Sequence, residues 1–271
     1  AETQALCRAG SPPGTRVTTM QVDVSQEAQV LAFRDAVMAE HRTDHVHLLF
    51  NNAGVGGGGG FVNGSRADWE RTFGVDWFGV YFGARTFMPM LVASTEGCIV
   101  NVSSVNGFWA TLGSGVSHTA YSAAKFAVKG FTEALITDLR VNAPHVSCAV
   151  VMPGHIGTSI ALNTYDAMAL GPAQLDAMRQ RLVKAGAPVA DLPDEAIRAI
   201  MVQRGKDFRD NAPTSAAQAA KIILDGVKAE KWRILVGDDA HQLDERVRAT
   251  PEKAYDDDFF TLFGPGAGLR R

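Results

Sequence analysis

Residues 98–104 read Cys-Ile-Val-Asn-Val-Ser-Ser, an apolar run of strand length that ends in two hydroxyl side chains. Similar runs alternate along the chain with longer segments of helical period, which is typical of βαβ units and of a parallel sheet covered on both faces. The predicted strands are Val17–Val22, Val46–Asn51, Cys98–Ser103, Val146–Met152 and Arg233–Val236. The predicted helices are Gln26–Arg42, Arg66–Val92, Ala120–Val141 and Ser215–Glu230. We therefore predict an α/β fold.

Glycine and proline follow three of these strands, at residues 54–60, 107–115 and 153–154. Loops therefore gather at the carboxyl edge of the sheet, where open parallel sheets bind their ligands. The run Gly56–Gly60 lacks the spaced glycines of a dinucleotide-binding turn and is interpreted as a flexible loop. Residues 155–213 have a weak period broken by prolines, and we interpret them as an irregular helical lid within a single domain spanning residues 1–271.

Composition limits the classes of ligand. The formal net charge of the 271 residues is −3 and the basic residues are scattered. We therefore expect a small-molecule ligand and no nucleic-acid-binding face. The most apolar stretch, Phe73–Val92, is interrupted by Asp76 and Arg85 and fails the test for a membrane span. No secretory leader is recognised, and the three separated cysteines have neither disulfide nor metal-ligand spacing, so we expect a cytoplasmic protein.

The segment Tyr121-Ser122-Ala123-Ala124-Lys125 contains the main candidate for chemistry. A separation of four residues on a helix places a phenol and an ammonium on the same face. A nearby cation stabilises phenolate and can make a tyrosine a general acid/base. Taken alone, such a pair is more often a surface contact. Ser104, at the end of its strand, is a candidate donor to a carbonyl oxygen, although a lone serine more often starts a loop.

Four motifs follow one another in order: Asn51-Asn52-Ala53-Gly54, Asn101-Val102-Ser103-Ser104, Tyr-x-x-x-Lys at 121–125, and Pro-Gly-x-Ile-x-Thr at 153–158. Each could be an ordinary turn or contact when taken alone. Together they resemble the classical short-chain dehydrogenase/reductase (SDR) family, from about Val17 to Thr158. The resemblance implies a Rossmann-type doubly wound parallel sheet and an enzyme that uses NAD or NADP.

The resemblance also implies roles for individual residues. Tyr121 would donate and accept the proton, Lys125 would lower the pKa of Tyr121 and hold the nicotinamide ribose, and Ser104 would steady the substrate oxygen. Asn52, Ala53 and Gly54 would line the adenine ribose. Asp23 would contact the adenine ring, although an Asp there is also a common helix cap. The residues expected to border the nicotinamide are Pro153, Gly154, Ile156 and Thr158.

The sequence departs from the family pattern at three places. The first two strands and the glycine-rich turn that holds the pyrophosphate are not found, which indicates an N-terminally truncated chain with Ala1–Arg8 as the tail of a helix. Two flanking strands would then expose apolar edges, or else pair directly in a rearranged sheet. Asp76 stands where the family has an asparagine of the proton relay. The spacing from Ser104 to Tyr121 is longer than the family norm by a few residues, in Gly113–His118.

We therefore expect an NAD(P)-dependent oxidoreductase that interconverts a secondary alcohol and a ketone by hydride transfer. Two alternatives stay open, a non-catalytic relative that binds a nucleotide or a protein, and an epimerase or lyase on the same scaffold. Helices 66–92 and 120–141 would form a homodimer or homotetramer, as in the family. An apolar substrate is indicated by lid residues, each of which could equally serve helix packing: Met168, Leu170, Leu175, Met178 and Leu182.

Overall fold

The computed structural model describes residues 2–113, 117–167, 171–184, 186–256 and 258–259. Its centre is a parallel sheet of four strands, in the spatial order β1, β2, β3, β6. The bounds of these strands are β1 Leu48–Asn51, β2 Gly97–Val102, β3 Val146–Pro153 and β6 Arg233–Val236. A second, two-stranded parallel sheet pairs β4 (Ile156–Gly157) with β5 (Thr214–Ser215). The predicted α/β fold with a parallel sheet is confirmed.

Helices connect these strands and cover the central sheet. Their bounds are α1 Glu2–Gly10, α2 Glu27–His41, α3 Arg66–Phe73, α4 Gly79–Val92, α5 Thr119–Asn142, α6 Ile160–Ala167, α7 Pro172–Lys184, α8 Asp194–Asp210, α9 Ala216–Lys228 and α10 Asp238–Ala249. Single 3-10 turns occur at Val105–Gly107 and Pro251–Lys253. The predicted start of the α9 helix is confirmed by a capping box, in which Ser215 and Gln218 bond each other's backbone N–H groups.

The apolar core lies in two layers, one on each face of the sheet. On one face, Ile99 packs with Leu91 of α4 and with Leu135 of α5. On the other face, Val100 packs with Ile234 of β6 and Ala219 of α9. Because successive residues of β2 point to opposite faces, the continuous apolar run in the sequence buries both faces.

The predicted strand Val17–Val22 is wrong. Among the residues that the structure describes, this segment has no ladder partner and is assigned to no strand, and direct pairing with β1 is not seen either. Extended residues become a strand only when a neighbour accepts their backbone hydrogen bonds, and β1 is paired on one side only, with β2. β1 therefore forms an edge of the sheet, as predicted, with the side chains of Leu48 and Phe50 45% and 37% exposed.

The long helix predicted at 66–92 is continuous but not uniform. A turn of π-helix, Gly74–Phe78, separates α3 from α4 and contains Asp76. The turn Val24-Ser25 packs against this segment, since a Cβ at Gly79 would lie 2.7 Å from Val24 Cγ2. π-turns insert one extra residue into a helix and are frequent at functional sites.

The segment predicted to be a lid contains α6, α7 and α8. Leu175 and Leu182 of α7 pack on Ile197 of α8 and on Val189 between them, which gives this segment an apolar cluster of its own. Met168 and Leu170 lie outside the described residues. The role of the segment as a substrate lid stays a prediction. Throughout the described ranges, none of the helices is long and apolar enough to cross a bilayer.

Candidate active site

The candidate site lies where the carboxyl ends of β1, β2 and β3 meet the first turns of α5. Tyr121 and Lys125 lie on the same face of α5, as predicted, with the ammonium nitrogen 5.3 Å from the centre of the phenol ring. Lys125 is 3% exposed, and its Nζ donates a hydrogen bond to the carbonyl oxygen of Val102 at 3.2 Å. The ammonium is thus anchored to the end of the central strand.

Asp76 forms a buried ion pair with Lys125. Its Oδ1 lies 3.0 Å from Nζ, and its side chain is 0% exposed. Burial raises the pKa of the Asp76 carboxyl, although the Lys125 ammonium opposes that shift. Burial also lowers the pKa of Lys125, but the charges of Asp76 and Tyr121 more than offset this, and the net pKa of Lys125 is raised. The π-turn therefore supplies a counter-ion for the lysine.

Tyr121 is in contact with ionisable groups on two sides. Burial raises the pKa of its phenol, and the Asp76 carboxylate adds to this rise. Together they outweigh Lys125 and the hydroxyl of Ser104, which both lower the pKa. Lys125 thus acts in the predicted direction, but the net pKa of Tyr121 lies above its ordinary value. The ring of His118 stacks on the phenol ring, with the centroids 4.6 Å apart and the planes at 26°.

The end of β2 holds Ser104 beside the tyrosine. The neighbouring hydroxyl of Ser103 points the other way and donates to the carbonyl oxygen of Lys125 at 2.7 Å. Ser104 Oγ accepts the backbone N–H of Asn106 at 3.1 Å. The two adjacent serines therefore have different roles: Ser103 bonds to the backbone of α5, and Ser104 faces the phenol of Tyr121.

Comparison with known proteins accounts for this arrangement. The sequence model of the short chain dehydrogenase family matches residues 2–169, which is more than half of the chain. The chain belongs to the short-chain dehydrogenase family. The family assigned from the four sequence motifs is thereby confirmed.

Relatives within the short-chain dehydrogenase family cover most of the chain. A putative oxidoreductase, SadH, of Mycobacterium tuberculosis is 36% identical over 237 residues, 87% of this chain and 73% of that protein. A cyclopentanol dehydrogenase of Comamonas sp. is 31% identical over 193 residues, 68% of this chain and 72% of that protein. A crystal structure of a short chain dehydrogenase/reductase from Burkholderia phymatum, in complex with NAD, is 32% identical with a TM-score of 0.68, covering 93% of this chain and 80% of that one.

The residues at the end of β1 differ in their surroundings. Asn52 and Ala53 are exposed, whereas Gly54 lies against the ion pair. A Cβ at Gly54 would come 2.8 Å from Asp76 Oδ1 and 3.4 Å from Lys125 Nζ. Gly54 thus belongs with the Tyr121–Lys125 group, and its lack of a side chain lets the backbone approach the carboxylate.

Asp23 has a local structural role. Its carboxylate accepts hydrogen bonds from the backbone and the hydroxyl of Ser25, at 3.0 Å and 2.7 Å. Its own N–H donates to Gln29 of α2, and the N-cap position of that helix is Gln26. The Asp23 side chain thus forms the turn that leads into α2. Its predicted contact with an adenine ring stays a prediction.

The residues after β3 are held by the start of α10. A Cβ at Gly154 would lie only 2.2 Å from the Asp239 carboxylate, which also accepts the backbone N–H of His155 at 2.6 Å. Pro153 ends β3, Ile156 pairs with Thr214 in the small sheet, and the N–H of Thr158 bonds the Ile156 carbonyl at 2.8 Å. The predicted nicotinamide-bordering segment is therefore an ordered turn at the same sheet edge. Asp239, which holds it, was not found from the sequence.

A buried amide network below the site was also missed. Asn51 Nδ2 donates to Asn101 Oδ1 at 2.8 Å, and Asn101 Nδ2 donates to Thr132 Oγ1 at 3.0 Å. Thr132 in turn donates to the Val128 carbonyl at 2.7 Å. This chain of bonds ties β1 to β2 and β2 to α5, and so fixes the helix that carries Tyr121. The available signal was an asparagine within each apolar strand, since a buried amide needs partners.

The interpretation of Gly56–Gly60 as a flexible loop is wrong. Gly56 N–H donates to Thr164 of α6 at 2.8 Å, and the carbonyl of Gly58 accepts the N–H of Ala120 at 3.1 Å. A Cβ at Gly58 would lie 2.3 Å from the Cβ of Ala120, and its φ is +58°. The run is a packed junction between α5 and α6, where glycines allow close approach and a left-handed backbone.

Gly58→Ala is therefore expected to destabilise the fold by about 3 kcal/mol, because a strained φ and a steric clash add. Gly14→Ala is the matched control, since Gly14 has a φ of +85° and no described atom lies within 4 Å of a Cβ there. The control should lose only the strain contribution of about 1 kcal/mol. Urea unfolding of both variants measures the difference. Equal losses would contradict the assigned close packing on Ala120.

Proposed function

We propose that this chain is an NAD(P)-dependent oxidoreductase that interconverts a secondary alcohol and a ketone, with Tyr121 as the general acid/base. The observation that carries the proposal is the grouping of Tyr121 with the buried Lys125 ammonium and the Ser104 hydroxyl at the sheet edge. The related cyclopentanol dehydrogenase is named for a secondary alcohol, which supports the same substrate class.

The residues around Lys125 fit a nicotinamide cofactor. An ammonium has three N–H donors, and its described contacts with Asp76 and Val102 use two of them. The third would donate to ribose hydroxyls. Pro153, Gly154, Ile156 and Thr158 would border the nicotinamide, and Asn52, Ala53 and Gly54 would line the adenine ribose. The cofactor supplies the hydride chemistry when bound.

The protein supplies the movement of the proton and the orientation of the oxygen. The Ser104 hydroxyl would donate to the substrate oxygen and hold it beside the phenol. Tyr121 would donate its proton to that oxygen as a ketone is reduced, and accept it as an alcohol is oxidised. Lys125 stabilises the phenolate form of Tyr121, and Asp76 keeps the buried lysine charged. The small, apolar nature of the substrate and a homodimer or homotetramer stay predictions.

Cofactor turnover tests the proposal. The purified chain is mixed with saturating NADH or NADPH and a panel of apolar ketones, and loss of the reduced-nicotinamide absorbance is followed. The reverse reaction uses NAD or NADP with secondary alcohols such as cyclopentanol. Turnover with a ketone–alcohol pair is expected. A folded chain that binds the cofactor but leaves it unchanged with every pair would favour the non-catalytic alternative, and conversion of an added substrate without net change of the cofactor would favour the epimerase.

The two directions should differ in their pH dependence. The pKa of Tyr121 is raised above its ordinary value, so the phenol stays protonated at neutral pH. Ketone reduction needs the protonated form and should be nearly constant from about pH 6 to about pH 9. Alcohol oxidation needs the ionised form and should rise with pH through the same range. Oxidation that is fastest at acid pH would contradict the assignment of Tyr121 as the base.

A further inference from the structure

The hydroxyl of Ser104 is oriented by a hydrogen bond from the chain itself. A serine hydroxyl has one donor proton and two acceptor lone pairs. One lone pair of Ser104 is taken by the Asn106 N–H at 3.1 Å. A hydroxyl that accepts from behind directs its own proton forward, toward Tyr121 and the place of the substrate oxygen. The direction of that proton therefore depends on where the amide of Asn106 is held.

The side chain of Asn106 holds that amide in place. It is 3% exposed, and its Nδ2 donates to the carbonyl oxygens of Trp109 at 2.9 Å and Thr111 at 2.7 Å. Both protons of the amide group are thus used. The Asn106 side chain therefore satisfies two backbone carbonyls of the loop after Ser104, which has no regular secondary structure at these positions to satisfy them.

A second attachment keeps this loop from moving as a unit. The indole Nε1 of Trp109 donates to the carbonyl of Ala254 at 2.7 Å, and the ring is 1% exposed. One residue further, the N–H of Ala110 donates to the hydroxyl of Tyr255 at 3.1 Å. The loop is therefore fixed to the segment after α10, and the Asn106 side chain links that fixed part to Ser104.

We propose that Asn106 is a positioning residue that acts through Ser104, by holding the backbone N–H that orients the serine hydroxyl toward the reacting oxygen. This inference rests on the proposed oxidoreductase function. Asn106 touches neither Tyr121 nor Lys125 in the described contacts. Its effect on the reaction must therefore disappear when the Ser104 hydroxyl is removed.

A double-variant cycle tests this dependence. Ser104→Ala alone is expected to lower kcat for ketone reduction by about 10²-fold, because one donor to the reacting oxygen is lost. Asn106→Ala alone should lower kcat by about tenfold with KM changed less than about twofold, because the donor is misplaced rather than removed. In the Ser104→Ala background, Asn106→Ala should change kcat by less than about twofold.

Ser94→Ala is the matched control for stability. Ser94 is also buried, and its hydroxyl lies 2.6 Å from each of two backbone carbonyls, those of Leu91 and Glu96. It precedes the start of β2, at the opposite edge of the sheet from the site. Both variants should lower Tm by a similar amount, on the order of 5 °C. Only Asn106→Ala should lower kcat at a temperature where both are folded.

Four outcomes separate the inference from the function on which it rests. Additive losses in the double variant, or an unchanged kcat in Asn106→Ala, would overturn the positioning role while the oxidoreductase function stands. Full activity in Ser104→Ala would overturn both the role of Ser104 and that of Asn106. Wild-type protein without turnover would overturn the proposed function itself, before any variant is compared.

Discussion

Tyr121→Phe is expected to lower kcat for ketone reduction by about 10³-fold, with little change in cofactor affinity. The substitution removes a single oxygen and keeps the ring, so it takes away the group that exchanges the proton. The stacked His118 ring and the nearby ammonium stay beside the phenyl ring. Stopped-flow or steady-state absorbance of the reduced nicotinamide measures the loss.

Tyr81→Phe is the control for this substitution. Tyr81 lies on α4 with its side chain 37% exposed, in contact with the rings of Trp77 and Phe82. Its described ring contacts do not include Tyr121, Lys125 or Ser104, and the variant should keep wild-type kcat. If Tyr121→Phe kept more than about a tenth of the wild-type kcat, another group would have to supply the proton, and the assignment of Tyr121 would be wrong.

Lys125→Met is expected to cost about 3–5 kcal/mol of unfolding free energy at neutral pH, because it leaves the buried Asp76 carboxylate without its cation. The methionine keeps most of the volume of the lysine stem, so packing changes little. Urea unfolding measures the loss. Turnover should also fall, since the phenolate form of Tyr121 loses its nearest positive charge.

The pH dependence of the unfolding free energy of Lys125→Met shows whether the unpaired Asp76 carboxylate causes the loss of stability. Burial already raises the pKa of Asp76 above its unfolded value, and Lys125 is the main group that opposes that rise. A group with a raised folded pKa binds its proton more tightly in the folded state. Its contribution to stability is therefore fully present below the unfolded pKa and is lost as the pH rises through the folded pKa. Lys125→Met should thus be most stable in acid and weaken toward neutral pH.

A second substitution provides the control. Asp76→Leu in the Lys125→Met background removes the unpaired charge, and most of the lost stability should return, because buried ion pairs can be replaced by apolar residues at little cost. Activity should stay low in the double variant. A double variant as unstable as Lys125→Met alone would show that the lost stability came from packing and not from the unpaired Asp76 carboxylate.

The parts of the site that sequence predicted are those fixed by local geometry. Tyr121 and Lys125 meet because the helix repeats every 3.6 residues, and Ser104 lies beside them because parallel strands end at one edge. The sheet strands and most helices were also predictable, because segments of strand length alternate in the sequence with segments of helical period. The strand predicted at Val17–Val22 failed because a ladder partner is a property of the whole sheet and not of the segment.

The parts that sequence missed depend on contacts between distant segments. Asp76 was singled out because it stands where the family has an asparagine, but its pairing with Lys125 depends on the π-turn, which no composition signal marks. The glycine run resembled a flexible linker because its partners, Ala120 and Thr164, lie 60 residues or more along the chain. Asn106 and Asp239 were not found from the sequence, because the carbonyls and N–H groups that they bind have no sequence signature.

The π-turn at Gly74–Phe78 also predicts which property of the protein a one-residue deletion would change. Because the turn holds one residue more than an α-helical turn, losing one residue there would restore a regular α-helix, and α3 and α4 would keep their orientations. The change would fall on the wide turn that carries Asp76 toward Lys125. A single-codon deletion in this segment should therefore keep the packing of α4 on the sheet and remove the counter-ion of the buried lysine.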